Sequence, residues 1–164
     1  MRTSPEIDVF PDNAKVWEVQ EKAKHPDEFP EASEHIDALF GNGSLFHRTH
    51  GFYIDGVDEN TATLPAGWQT RAVVRRVDVG GRMVTAVAPC PEDIIVSKLA
   101  RLNEKDKSFI EAYHSGRPLD ASLIEERIRL SDFEPAIADR AFAYIRNLTK
   151  TGGGGRHGSG GHLP

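Results

Sequence analysis

The sequence predicts an α+β (α/β) fold, a small mixed β-sheet covered by helices and followed by a C-terminal helical part. Three observations predict it. Two β-rich runs, Ala72 to Val79 and Arg82 to Ala88, flank Gly80-Gly81, a pair suited to a tight hairpin turn. Segments from Glu92 to Leu148 carry apolar residues at helical spacing. Strand-like alternation is confined to the part of the chain before them.

Taken in order, Glu6 to Phe10 reads as a short strand because Ile7 and Val9 alternate with Glu6 and Asp8, and Pro11 ends it. Strand geometry then places Ile7 and Val9 in the core behind the two acids. Ala14 to Lys24 reads as a helix closed by His25-Pro26. Ala32 to Phe40 reads as a second, with Gly41-Asn42-Gly43 at its C-cap. Leu45 to His50 and Phe52 to Val57 read as strand-like runs separated by Gly51, and Asp58 to Gly67 as a surface loop. After the hairpin, Pro89 to Pro91 breaks the strand, and Glu92 and Asp93 supply the negative charge that a helix N-terminus favours. Helices are expected at Glu92 to Leu102, Glu104 to His114, Ala121 to Leu130 and Phe133 to Leu148. From Thr151 the chain is nearly all glycine, so residues 1–150 are read as the domain and 151–164 as a flexible tail.

A chain of 164 residues has room for one ordinary domain, and 38% hydrophobic with 27% charged residues is an ordinary globular balance. No run approaches the eighteen apolar residues of a membrane-spanning helix. The polar, acidic start is unlike a secretory signal, and the single cysteine, Cys90, excludes an internal disulfide, so a cytoplasmic setting is expected. A net charge of −5 argues against long nucleic acid as the partner without excluding it. A local patch of Arg71, Arg75, Arg76, Arg82 and Lys98 is open to that use, the wet face of the hairpin being the plainer account.

Glu6 and Asp8 project from one face of the first strand, roughly 6.5 to 7 Å apart along it. Two readings stand: a solvated edge, or a pair of hard oxygen ligands for Mg²⁺ or Mn²⁺. Asp55 sits in the apolar run Phe52 to Val57, either as a third ligand from a neighbouring strand or as the turn aspartate of an Asp-Gly pair. Lys98 lies within the apolar stripe of Ile94, Ile95, Leu99 and Leu102, and Asp106 lies on the inward stripe of the next helix with Phe109 and Ile110. A structural salt bridge explains both; so does Lys98 reaching a phosphate with Asp106 holding a basic group or accepting a proton. His47 and His50 lack a clustered third ligand and read as surface histidines, and Gly43-Ser44 reads as a helix end rather than a phosphate turn.

Arg2-Thr3 followed by Glu6-Ile7-Asp8-Val9 resembles the R-T-x-x-[DE]-h-D-h signature of nucleotidyltransferase-like proteins related to the AbiEii toxins. Pro91-Glu92-Asp93-Ile94-Ile95-Val96-Ser97-Lys98-Leu99 and Glu104-Lys105-Asp106 resemble that group's P-E-D-L-h-x-x-K-L and K-D, and Leu64-Pro65-Ala66-Gly67-Trp68 fits an uncharacterised bacterial branch. The resemblance covers about residues 2 to 130. It implies that Glu6 and Asp8, with Asp55 as third candidate, hold Mg²⁺ or Mn²⁺. It also implies that Lys98 and Lys105 serve an NTP phosphate, and that Asp106 supports them or accepts a proton. The family's glycine-serine or double-glycine turn upstream of the acidic strand has no counterpart in the five residues before Glu6, so an N-terminally truncated domain is expected. The functional expectation is transfer of a nucleoside monophosphate from an NTP to RNA, protein or a small acceptor, in a toxin-antitoxin or defence setting. The alternative is a catalytically inert relative that works by binding, as an antitoxin or an oligomer subunit.

Overall fold

The computed structural model describes residues 5–151. Arg2-Thr3 and the expected flexible tail from Gly152 onward lie outside the described residues. The fold is mixed α+β, and the chain divides into two compact units, Met1–Ala62 and Thr63–Pro164.

The first unit runs β1 (Glu6–Val9), α1 (Ala14–Lys24), α2 (Ala32–Phe40), α3 (Leu45–His50) and β2 (Tyr53–Gly56). The two strands pair in parallel, with Glu6 opposite Tyr53 and Asp8 opposite Asp55. Parallel neighbours need a long crossover, and the three helices supply it. Glu18 of α1 accepts a hydrogen bond from the Ala32 amide at 3.0 Å, tying α1 to the start of α2. Behind β2, α2 comes so close that a Cβ on Gly56 would lie 2.3 Å from the Ser33 carbonyl oxygen. The Gly56 amide also donates to Asp37 at 2.6 Å.

Two expectations fail in this unit. Leu45 to His50 is helix α3, because Ser44 caps it by accepting the His47 amide and Gly51 closes it at φ 75° in the left-handed region. Ser44 is thus a helix start, and Gly41, at the end of α2, is the helix stop. Ile7 is 47% exposed and not part of a core. The packing comes instead from an aromatic series in which Phe46 meets Phe40 and Phe52 edge-on at 5.4 and 5.1 Å.

The second unit adds α4 (Trp68–Arg71), the hairpin β3 (Val73–Val79) and β4 (Arg82–Ala88), then α5 (Pro91–Arg101), α6 (Glu104–Gly116), α7 (Ala121–Arg129) and α8 (Pro135–Thr151). The hairpin is as expected: Val79 pairs with Arg82 across Gly80 and Gly81, whose φ values of 62° and 85° are those a two-residue turn demands. The strands do not join into one mixed sheet among the described residues; they form two two-stranded pairs, one parallel and one antiparallel. The short helix α4 was not expected, since Gly67 starts it without a side-chain cap.

The four last helices enclose the core. Ile95, Val96 and Leu99 of α5, Ile110 of α6, Ile124 and Ile128 of α7 and Ala141 and Ile145 of α8 are all essentially solvent-free. Asp93 is also fully buried at the start of α5. Arg71 meets its carboxylate with two hydrogen bonds of 3.0 and 3.1 Å, and Arg127 approaches at 3.7 Å. The forked guanidinium matches a carboxylate in geometry, which makes the burial tolerable. Arg71 therefore belongs to this pair and not to a wet basic face. The same contact raises the Arg71 pKa, while burial raises that of the neighbouring Cys90 thiol.

Two outcomes check this fold. Gly56→Ala is expected to destabilise the first unit by about 1–3 kcal/mol, because the Ser33 backbone has no side chain to swing away; chemical denaturation measures it. Tyr144 donates to Glu111 at 3.1 Å and its pKa is raised to about 12, chiefly by burial and then by that acceptor. A phenol whose folded pKa is raised contributes stability that is complete below its unfolded value near 10 and lost as pH climbs toward 12. Ultraviolet titration of tyrosinate should show a late-ionising phase that is lost in Tyr144→Phe.

Candidate metal centre

A strand of period two turns Glu6 and Asp8 to the same side of β1. The parallel register then sets Tyr53 and Asp55 beside them on β2. As a result, Glu6, Asp8 and Asp55 each offer a carboxylate oxygen within 4.8 Å of the other two. Asp55 lies within a strand, so it is not a turn residue. Asp8 is exposed, whereas Glu6 and Asp55 are half-buried.

Tyr53 orients the first of these acids. Its hydroxyl donates to Glu6 Oε2 at 3.2 Å, and its ring rests against His47 at 5.0 Å between centroids. His47 is itself held at Nδ1 by the Gly43 amide at 3.0 Å. His47 is therefore part of the support behind Glu6 and not a loose surface residue, while His50 packs on Phe46. Sequence reasoning missed Tyr53, although its place two residues before Asp55 on the same face was available as a signal.

Three carboxylate oxygens at this spacing fit a hard divalent cation. Octahedral Mg²⁺ or Mn²⁺ at about 2.1 Å from each oxygen spaces its ligands by roughly 3 to 4.2 Å, so a small rotation of the side chains closes the set. The donor chemistry is all oxygen, as Mg²⁺ and Mn²⁺ prefer. The cavity of about 170 Å³ between α1 and α2, lined by Trp17, Ala32 and His35, shares no residue with this group.

The remaining predicted residues lie in the second unit. Lys98 is inward-facing as expected: its Nζ is 3.8 Å from Asp106 and 4.8 Å from the Phe109 ring centroid. Asp106 is 1% exposed and closes the capping box of α6 with Asn103, while Arg101 donates to it at 3.1 Å. Lys105 is exposed on the first turn of α6. Arg75, Arg76 and Arg82 are exposed on the hairpin.

Over residues 1–146 the chain matches the family described as nucleotidyltransferase of unknown function (DUF6036). The chain belongs to this family. As a nucleotidyltransferase-family protein it has its three clustered acids, and Lys98 with Asp106, inside the matched span. It matches no curated protein and no solved structure. No helix among the described residues is long and apolar enough to cross a membrane.

A manganese titration tests the centre directly. Mn²⁺ binding, read by electron paramagnetic resonance, should vanish in Asp8→Asn and in Asp55→Asn and weaken by about 10-fold in Tyr53→Phe, whose lost hydroxyl orients a ligand. Equal binding in all four proteins would refute the assignment.

Proposed function

We propose that this protein is a divalent-metal-dependent nucleotidyltransferase that transfers a nucleoside monophosphate from an NTP to a hydroxyl-bearing acceptor. The single observation that carries the reading is the gathering of Glu6, Asp8 and Asp55 on one face of a parallel strand pair, in a chain of a nucleotidyltransferase family. When bound there, Mg²⁺ or Mn²⁺ supplies positive charge to the triphosphate oxygens. Asp8 and Asp55 act as ligands on adjacent strands, and Glu6 is the third, turned by Tyr53. In the transfer, the acceptor hydroxyl oxygen bonds to the α-phosphorus and gives up its proton to water, the bond to the bridging oxygen breaks, and pyrophosphate leaves with that electron pair.

Lys98 is assigned the phosphate contact that the AbiEii-like resemblance implies, with Asp106 as the anchor of its ammonium group rather than as a proton acceptor. The α6 capping box and the Arg101 contact support that role, because they already occupy both Asp106 oxygens. Lys105 is a secondary phosphate contact. A cytoplasmic toxin or defence component acting on RNA, protein or a small molecule is the setting the resemblance suggests. A second reading, an inert relative that works as an oligomer subunit, is favoured by the bare hairpin of β3 and β4.

Incubation with each NTP labelled at the α-phosphate, in Mg²⁺ or Mn²⁺, tests the proposal. Label should appear on an acceptor in cell extract and on no acceptor with Asp8→Asn or Asp55→Asn. Lys98→Ala should raise KM for the NTP while leaving Mn²⁺ affinity unchanged. Transfer that survives the double change of both aspartates would sink the reading, as would metal binding without transfer from any of the four nucleotides.

A further inference from the structure

All seven residues of β3 and all seven of β4 are exposed, among them Val77 at 54%, Met83 at 61%, Val84 at 46% and Val87 at 49%. A lone two-stranded hairpin is marginally stable in water, and open apolar strand edges invite another strand. The two edges differ. In a two-residue hairpin the turn-closing pair, here Val79 and Arg82, exchanges both backbone bonds, and bonded pairs then alternate along the ladder. That alternation turns the N–H and C=O groups of Val74, Arg76 and Asp78 outward on β3, and those of Met83, Thr85 and Val87 outward on β4. Charge guards the first edge. No charge guards the second.

We propose that the β4 edge pairs with the β4 edge of a second copy of this chain, giving a four-stranded antiparallel sheet in the order β3-β4-β4-β3. A two-fold axis through Thr85 sets Thr85 against Thr85 and Met83 against Val87, so that every outward group finds a partner in about six hydrogen bonds. The same register puts Arg82 opposite Ala88 and holds the two Arg82 side chains about 20 Å apart along the strands, so the only charge on β4 opposes no like charge. Pairing through β3 about its middle residue would instead put Arg76 against Arg76. The occupant is a second copy because β4 is complementary to itself in hydrogen bonding and in charge at one register. This proposal is independent of the metal centre.

The full chain tests it by sedimentation velocity over a range of concentrations. The expected result is a dimer that dissociates on dilution. Thr85→Lys, which places two cations on the axis, and Thr85→Pro, which removes an outward N–H without touching a hairpin bond, should both halve the mass with unchanged circular dichroism. Val74→Lys, on the other edge, should leave the dimer intact. Hydrogen exchange on the unsubstituted protein reads the same edge without any variant: the Met83, Thr85 and Val87 amides should gain protection as concentration rises, and those of Val74, Arg76 and Asp78 should not. A monomer at every concentration, an assembly whose mass both Thr85 variants preserve, or concentration-independent exchange at those three amides would overturn the proposal.

Discussion

The candidate site rests on one register. Parallel pairing puts Asp8 directly beside Asp55, with Glu6 one strand repeat away on the same face. Two such charges near 4 Å repel by about 1 kcal/mol in bulk water and about 4 kcal/mol where the effective dielectric falls to 20. A fold bearing that cost must hold the strands together by other means. Here the other face of the strand pair does so, with Gly56 letting the Ser33 backbone come close and Asp37 accepting the Gly56 amide. Tyr53 relieves part of the repulsion by donating to Glu6, and a divalent cation would turn the remainder into attraction.

The buried acids of the second unit make a contrast with this candidate group. Asp93 and Asp106 are at least as buried as any acid in the chain, yet their oxygens are committed to guanidinium groups and to a helix cap. They stabilise α5 and α6 and have no remaining geometry for a hard cation. Glu6, Asp8 and Asp55 face one another. Burial of charge alone would point to Asp93 and Asp106; the nature of the neighbours points instead to Glu6, Asp8 and Asp55 as the candidate group.

Much of the fold was legible because it is local. Gly80-Gly81 between alternating runs specifies a hairpin within sixteen or so residues, and the inward stripes carrying Lys98 and Asp106 follow from helical periodicity. Local patterning failed where a cap outweighed side-chain preference: Leu45 to His50 looks strand-like, yet Ser44 and Gly51 bracket it as one helical segment. It failed again at Asp93, which reads as an ordinary first-turn acid until Arg71, 22 residues earlier, closes on it.

By itself the amino-acid order determined that Glu6 and Asp8 share a face, that the chain turns back at Gly80-Gly81, and that the second half is helical. Those properties depend on spacings of a few residues, where backbone geometry leaves little choice. Only the tertiary structure decided that Asp55 stands beside Asp8, that Tyr53, 47 residues away, orients Glu6, and that Asp106 is spent on a cap and Arg101. Such pairings depend on how a three-helix crossover closes two strands into one register, and no short stretch of sequence encodes that closure.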